Sequence, residues 1–373
     1  MTNKCKMTRR EFFKASGVMA GSFALGGYIS PARSDDRVLN WLTYAGHSDA
    51  FVVEPFERAH GVQVQGREYT GGERMLSLIH GSPRGAFDVV TSDAPYVAML
   101  READLIEPLD AGDYDFDDFW EDFHDWPQHW FDGELFAILT SWGFNGLAYN
   151  SDVLSAEDVR SYDIMWDERM KGRVGMREWY LPVMGCLSLH LGHERPYDIT
   201  DEQFENLKES MFSLRPQVQG FWGFGGTFDS LAGGVIDVIP GTGDWMTGML
   251  RRDGHPIMSA TTDEGAVMWT ESASIVRGTG KRELAQEFIR YLTSPEGQRR
   301  LMLKDSYMAS GPNRTAWEEL NRDEPEIAGW LNMDLDGENL MDMLRDGRIV
   351  PRGLPTQQSM EDWADSYSEF QAM

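Results

Sequence analysis

Hydrophobic and polar positions in the first third of this chain alternate between two periods, which indicates strands followed by helices. Apolar runs with strand character occupy residues 38–42, 62–64 and 87–90. Between them, residues 50–59 and 71–79 carry apolar side chains at helical spacing, and the two segments are closed by Gly61 and Gly81. This alternation predicts an α/β fold with a parallel sheet covered by helices on both faces.

A second α/β set follows a segment at residues 110–132, which is acidic and aromatic without clean periodicity and is interpreted as a surface excursion. The pattern predicts strands at 135–139, 146–150, 173–175, 235–239, 266–270 and 273–276, with a crossover near residues 142–144. It predicts a short turn or helix at 165–171 and helices at 201–212, 244–252, 282–293 and 359–370. Two such sets in a chain of 373 residues indicate two domains.

The N-terminus has the layout of an export signal. Thr8-Arg9-Arg10-Glu11-Phe12-Phe13-Lys14 precedes a mildly apolar stretch at 15–29 and the small residues Ser30-Pro31-Ala32. Four glycines interrupt the apolar stretch, which is therefore a poor membrane span. We predict a twin-arginine signal peptide at residues 1–32, recognition by the twin-arginine translocase, and a periplasmic mature protein that begins near Arg33.

Charge and cysteine content narrow the possible partners. The net charge of −27 becomes −31 without residues 1–32, because they hold five Lys or Arg side chains and one Glu. A surface this negative repels nucleic acid and anionic lipid. The acidity fits either attraction of a cationic solute or tolerance of salt. Cys186 is the only cysteine after residue 32, so no disulfide is expected, and Cys5 lacks the context of a lipid anchor.

Six motifs in a fixed order resemble one family. They are Leu39-Asn40-Trp41, the passage 56–62, the run 87–93, Gly146-Leu147-Ala148-Tyr149-Asn150, the pair Trp166-Asp167 with Gly172-Arg173-Val174, and the helix from Glu283 to Glu296. Together they resemble the extracellular solute-binding proteins of ABC importers, in the spermidine/putrescine branch. The resemblance implies a type II periplasmic binding protein, an α/β fold of two lobes with a ligand cleft between them. Lobe 1 would comprise 33–142 and 272–320, and lobe 2 would comprise 143–271 and 321–373.

The same resemblance implies a function. A monomer without a cofactor would capture a small cationic solute, a polyamine such as putrescine or spermidine, and deliver it to the membrane subunits of an ABC permease. It would not be an enzyme. Polyamines need aromatic walls for their methylenes and carboxylates or ring faces for their ammonium groups. Carried over position by position, the ligand-binding residues are Trp41, Tyr44, Asp93, Tyr96, Glu178, Trp179, Trp269, Glu271, Tyr307 and Gln357 (or its neighbour Gln358).

Two departures from the family pattern leave the ligand open. Polyamine binders carry an Asp and a Glu after the strand of Arg173, whereas the aligned positions here are Trp179 and Pro182, with Glu178 one place off. In the run 241–245 the tryptophan is Trp245, whereas the family usually places a tryptophan two or three residues earlier. Either Glu178 substitutes or an amine anchor is lost. A quaternary amine, an amino acid derivative or a thiamine-like cation is then an alternative ligand, and a ligand-loaded sensor is an alternative role.

Other chemistries find little support in the sequence. There is no cysteine pair for an iron–sulfur cluster and no Tyr-Tyr pair of the kind that ferric-ion binders use. His190 and His193 would lie one helical turn apart as a possible metal pair, but no HExxH pattern accompanies them. The glycine-rich run 223–226 has neither dinucleotide-binding spacing nor a lysine and is interpreted as a flexible loop. No nucleophile–base motif supports a hydrolase.

Overall fold

The alternation of strands and helices continues along the whole described chain. A computed structural model describes residues 37–373, so the predicted signal peptide at residues 1–32 lies outside the described residues. The strands are β1 (Val38–Thr43), β2 (Gln63–Glu68), β3 (Val89–Ser92), β4 (Ile106–Glu107), β5 (Trp130–Phe131), β6 (Glu134–Leu135), β7 (Ile138–Asn150), β8 (Val174–Arg177), β9 (Val218–Trp222), β10 (Val238–Thr242), β11 (Ile257–Ala260), β12 (Ala266–Val276) and β13 (Ile349–Pro351).

The helices separate most of these strands. They are α1 (Ala50–His60), α2 (Gly72–His80), α3 (Val97–Glu102), α4 (Tyr180–His190), α5 (Asp201–Ser213), α6 (Phe224–Ala232), α7 (Asp244–Arg252), α8 (Arg282–Thr293), α9 (Pro295–Met302), α10 (Arg314–Asp323), α11 (Pro325–Trp330), α12 (Leu340–Arg345) and α13 (Met360–Ala372). Single 3₁₀ turns occupy Ala94–Tyr96, Ala111–Asp113, Phe116–Asp118, Glu121–Phe123, Asp158–Arg160, Tyr162–Trp166 and Glu168–Met170. No helix of residues 37–373 is long and apolar enough to cross a membrane.

One compact unit comprises the described residues up to Tyr114, with Pro127–Ile138 and Ser272–Tyr291. Its strands run in the order β2-β1-β3-β12, with β1 parallel to β2 and β3, and with the second half of β12 antiparallel to β3. Phe288 of α8 packs against Trp41 and Phe56, with ring centroids 4.9 Å apart in both pairs. These contacts close the core of the unit between β1, α1 and α8.

A buried ion pair ties β1 to the segments that flank it in this unit. Asp88 and Lys281 are almost fully buried, and the Nζ–Oδ2 distance is 3.3 Å. The same Asp88 Oδ2 accepts from the Asn40 backbone N–H at 2.7 Å, and Oδ1 accepts from the Thr279 hydroxyl at 2.6 Å. Lys281 also donates to the carbonyl of Val38. Because each charge has several partners, the cost of desolvating the pair is offset.

The other unit comprises Asp115–Trp126, Leu139–Glu271 and Leu292–Met373. Its strands include the order β7-β10-β8-β9, in which β10 is antiparallel to β7 while β8 is parallel to both β10 and β9. Strand β11 is also antiparallel to β7, and the first half of β12 is parallel to β13. The core packs α4, α5 and α13 against these strands.

Helix α4 lies deepest in this core. Every residue from Tyr180 to Leu189 is buried, so the helix has no polar face along that length. Cys186 donates from Sγ to the carbonyl of Asn145 at 3.2 Å, and burial raises the pKa of its thiol to about 11. The sequence did not reveal this helix, because a segment that is apolar all round shows no amphipathic period.

Three predictions of elements are wrong. Residues 266–270 and 273–276 do not form two strands, because β12 runs without interruption from Ala266 to Val276. Residues 135–139 and 146–150 do not form two strands, because β7 runs without interruption from Ile138 to Asn150. Glycine-rich residues 223–226 do not form a loop, because α6 begins at Phe224 and includes Gly225 and Gly226. In addition, residues 115–126, 139–142 and 292–320 cluster with the second unit, although we expected them in lobe 1. Their contacts explain this: Gln298 donates to the carbonyl of Thr140, and Trp142 bridges to Ser310.

Candidate functional site

Three parallel strands of the second unit end at one edge of its sheet, and each is followed at once by a helix. Strands β8, β9 and β10 end at Arg177, Trp222 and Thr242, and helices α4, α6 and α7 begin within three residues. The residues before these helices, Trp179, Gly223 and Gly243, make no side-chain capping hydrogen bond. Ligands of open α/β sheets bind outside such carboxyl ends, where helix N–H groups point.

Aromatic rings gather beside this edge. Trp245, at the start of α7, lies 5.7 Å from Phe224 in a stacked arrangement and 6.0 Å from Tyr307 in an edge arrangement, between ring centroids. Tyr307 in turn lies 6.4 Å from Trp269 of β12. The cluster that we call the aromatic box is Phe224, Phe228, Trp245, Trp269 and Tyr307. Such rings suit methylene chains and organic cations.

The predicted pair Trp269 and Glu271 does occupy one region of this unit. Both side chains are buried, and Tyr307 contacts the Trp269 ring while it donates a very short hydrogen bond to Glu271 Oε1. Lys304 is fully buried, and its Nζ lies 3.5 Å from the centroid of the Tyr307 ring. The structure thus brings Trp269, Glu271 and Tyr307 together, and their contact with a ligand stays a prediction.

A carboxyl group that the sequence analysis missed lies beside Trp269. A Cβ atom added to Gly143 would lie 2.9 Å from Asp244 Oδ1 and 2.8 Å from the Trp269 ring, so both groups border the same point. Asp244 is 1% exposed, and Oδ1 accepts from the Trp245 N–H at 2.9 Å. Within the described chain, neither Asp244 Oδ2 nor Trp269 Nε1 has a hydrogen-bond partner. Burial raises the pKa of the Asp244 carboxyl to about 8, although backbone donors oppose the shift.

Arg177 completes the polar groups at this edge. Its guanidinium lies over the Trp245 ring, 5.1 Å from the centroid, and Trp245 Nε1 donates to Asn145 Oδ1 at 3.1 Å. Among residues 37–373, no atom accepts from Arg177 Nε or Nη1. The unit therefore presents aromatic rings with a buried carboxyl group beside Trp269 and a buried guanidinium over Trp245.

The predicted residues of the other unit lie near the ends of β1 and β3. Trp41 is buried and donates from Nε1 to the Thr91 hydroxyl at 2.9 Å, so it serves the core of its unit. Tyr44 is half-buried, 4.7 Å from Tyr69 between ring centroids. Asp93 and Tyr96 are buried. The Tyr96 ring lies against the backbone of Gly72, where an added Cβ would clash at 2.1 Å.

The remaining predicted residues of the second unit do not belong to the aromatic box. Glu178 is exposed, and its Oε2 lies near Gly223 at the start of α6. Trp179 is half-buried, with the buried guanidinium of Arg352 4.8 Å above its ring. Gln357 is exposed and donates to Asp198 Oδ1 at 3.1 Å. Its neighbour Gln358 donates to the carbonyl of Ile199 at 2.9 Å.

The histidine pair considered as a metal site has other roles. Helix α4 ends at His190, whose ring lies 3.3 Å from Glu264, while the His193 ring lies 3.0 Å from the Ser188 hydroxyl. No cluster of three potential metal ligands occurs among residues 37–373.

We predict that Gly143→Ala destabilises the protein, although the substitution adds only one methyl group. The added methyl group would lie within 2.9 Å of both the Trp269 ring and Asp244, so one of them must move. The expected loss is about 1–3 kcal/mol in the free energy of unfolding, measured in urea. Gly225→Ala is the control, since nothing lies within 4 Å of its Cβ position. Equal stabilities of the two variants would contradict the prediction.

Comparisons with known proteins agree with this architecture. The profile of the family described as "Bacterial extracellular solute-binding protein" matches residues 52–327. A putative spermidine/putrescine ABC transporter protein from Listeria monocytogenes has a similar structure, with a TM-score of 0.76, 17% identity, and coverage of 90% of this chain and 99% of that one. No curated protein matches the chain in sequence.

Other solved structures are similar to the same extent. The spermidine/putrescine substrate-binding protein PotD from Streptococcus pneumoniae gives a TM-score of 0.72 at 18% identity, with 90% of this chain and 99% of that chain covered. The binding protein MotA from A. tumefaciens, solved with glucopine, gives 0.67 at 16% identity, with 89% and 99% covered. These likenesses confirm the predicted two-lobed α/β fold. Because the family profile spans most of the sequence, the chain belongs to the bacterial extracellular solute-binding proteins, a family of binding proteins and not of enzymes.

Proposed function

We propose that the protein captures a small solute with an ammonium group outside the cytoplasmic membrane and delivers it to the membrane subunits of an ABC permease. Family membership supports the capture of a solute. The motif at residues 8–14 supports export to the periplasm by the twin-arginine translocase. The proposed class of solute is inferred from the second unit, where the described side chains form the aromatic box.

One observation supports the presence of an ammonium group in the proposed solute. Asp244 places a buried carboxyl oxygen, Oδ2, without a partner among the described residues, and the Trp269 ring borders the same point. A carboxyl group left buried in this way is costly. An ammonium group would supply the missing donor to Oδ2 and would lie against aromatic faces, which attract cations. Glu271 is the second acidic residue of this region.

Polyamines are the first candidate class. The spermidine/putrescine branch is the one that the motifs resemble, and two proteins of similar structure are named as spermidine/putrescine transport proteins. On this proposal, the anchors include the predicted residues of the second unit: Glu178, Trp179, Trp269, Glu271, Tyr307 and Gln357. Asp244 and Trp245 join them.

An amino acid derivative is the second candidate, and Arg177 is the observation that favours it. A diamine brings only positive charge to a region that already holds a buried guanidinium over the Trp245 ring. A similar structure was solved with glucopine, so a polyamine is not implied by the fold. The two candidates share the ammonium group and differ in the rest of the solute.

Thermal melting of the mature protein tests the feature that both candidate classes share, which is the ammonium group. The panel is putrescine, spermidine, choline, betaine, thiamine and amino acids, at fixed ionic strength, with sodium chloride matched for each charge. We expect at least one amine to raise the melting temperature, since a ligand at 100 times its dissociation constant adds about 2.7 kcal/mol. In Asp244→Asn the shift should shrink, whereas the exposed Asp253→Asn on the same helix should keep it. If no amine shifts the melting temperature, the proposal fails.

A further inference from the structure

Arg177 is a buried positive charge that has no carboxylate as a hydrogen-bond partner among residues 37–373. The residue is 8% exposed at the end of β8, and its own carbonyl is fixed by the hydroxyl of Tyr367 at 2.5 Å. In residues 37–373, no acceptor reaches the Nε or Nη1 atom of Arg177. Buried arginines ordinarily pair with carboxylates, which they bind through two parallel hydrogen bonds.

Surrounding groups make this charge more costly. Burial lowers the pKa of Arg177 to about 10, so the side chain still carries its charge at neutral pH. Arg352, which is 6% exposed, adds a second positive charge nearby and lowers the pKa further. Glu178 attracts the guanidinium from a distance, but its side chain is exposed and lies toward Gly223. The Arg177 guanidinium thus stays charged at neutral pH although no acceptor reaches its Nε or Nη1 atom in residues 37–373.

The position of the charge points to a ligand rather than to packing alone. Arg177 ends a strand at the edge where α4 begins three residues later, and the Trp179 side chain does not cap that helix. Backbone N–H groups and the helix dipole therefore add positive potential at the same end of the sheet. The guanidinium also lies over Trp245, one wall of the aromatic box. The unpartnered carboxyl of Asp244 precedes Trp245 directly in the sequence.

We propose that Arg177 binds a carboxylate of the captured solute, so that the solute is a zwitterion with its ammonium group at Asp244 and the aromatic box. The chemical class is an amino acid in which a short chain separates the two charged ends. The inference rests on the proposed function, which supplies the ammonium end. What the inference adds is that the solute also has a carboxylate, which Arg177 binds.

A matched series of ligands tests the charge at that end. Isothermal titration calorimetry with the mature protein compares 4-aminobutyrate with putrescine and 5-aminopentanoate with cadaverine, pairs that differ only in a carboxylate or an aminomethyl group. Glycine, β-alanine and 6-aminohexanoate extend the range of lengths. At least one zwitterion should bind ten-fold or more tightly than every diamine. Diamines that bind while every zwitterion fails would overturn this inference and leave the proposed function standing. Failure of every zwitterion to bind would overturn this inference in any case, whereas the proposed function fails only if no amine of the melting panel binds.

Variants at Arg177 give the second test. Arg177→Gln should weaken the preferred zwitterion at least a hundred-fold and leave the affinity for amines without a carboxylate nearly unchanged. Arg177→Lys should recover part of the loss, because it restores the charge without the planar fork. Arg251→Gln is the matched control, since Arg251 also lies over a tryptophan ring of the same unit, 5.7 Å from Trp330.

A purely structural role for Arg177 predicts another outcome. Loss of a structural guanidinium would lower the melting temperature of the ligand-free protein and weaken all ligands alike. On the present inference, the ligand-free Arg177→Gln protein melts at the same temperature as the wild type or higher, because an unpaired buried charge has been removed. Unchanged zwitterion affinity in Arg177→Gln, or an equal loss for every ligand, would overturn the inference.

Discussion

Replacement of Asp244 by asparagine is expected to make the protein more stable than the wild type at pH 8 and to leave the two nearly equal at pH 4. The folded-state pKa of Asp244 is about 8, against 3.8 for the free side chain, because the carboxyl is buried. Folding therefore favours the protonated form. Its stabilisation is complete below pH 4 and is lost as the pH rises to about 8, at up to about 1.4 kcal/mol per pH unit. Asparagine carries no such charge and escapes this loss.

Urea unfolding at pH 4, 5, 6, 7 and 8 measures the effect. The quantity of interest is the difference in unfolding free energy between Asp244→Asn and the wild type, which should grow steadily with pH. Asp253→Asn, at the other end of helix α7, serves as the exposed control and should run parallel to the wild type. A difference for Asp244→Asn that is the same at every pH would contradict the assigned protonation state.

Asp88→Ala is expected to destabilise the first unit by about 3–5 kcal/mol, because it leaves the buried Lys281 cation without its carboxylate partner. Lys281 would keep only the carbonyl of Val38 among its partners in the structure, and the Asn40 N–H and the Thr279 hydroxyl would lose theirs. Unfolding in urea, followed by tryptophan fluorescence, gives the change in free energy.

Two comparisons separate this effect from the loss of any ion pair. Glu54→Ala removes the exposed partner of Arg58 and should cost less than about 1 kcal/mol, as is typical of surface pairs. Asp88→Ala combined with Lys281→Met should be less destabilised than the sum of the single changes, since neither charge is left alone. Additive losses would show that the two side chains act independently.

A helix with one apolar face was among the elements that the sequence predicted well. Helix α8 was predicted with its observed bounds, 282–293, because its apolar residues recur at helical spacing. Helix α4 was missed because all its residues up to Leu189 are apolar or small and buried. Strand β7 was divided in two at Gly143, whose role is to leave room for the Trp269 ring rather than to end a strand.

The candidate site was predictable where neighbours on a strand define it. Trp269 and Glu271 alternate on β12, so their common face follows from the period of a strand. Asp244 and Arg177 were missed because the sequence does not show burial, and a chain with 61 acidic residues gives no reason to choose one aspartate. For Asp244 a usable signal was its position, where a predicted strand gives way to a predicted helix, whereas the helix that follows Arg177 was itself missed.

On the proposed function, the buried carboxyl of Asp244 would link solute capture to the pH of the medium. Near neutral pH this carboxyl holds a proton, because its pKa is about 8. An ammonium group that takes its place against Oδ2 favours the ionised form, so on the proposed function each capture displaces close to one proton. Solute and hydrogen ion then compete for the same oxygen. The protein would hold its cargo most firmly in neutral or alkaline surroundings and release it more readily as the medium acidifies.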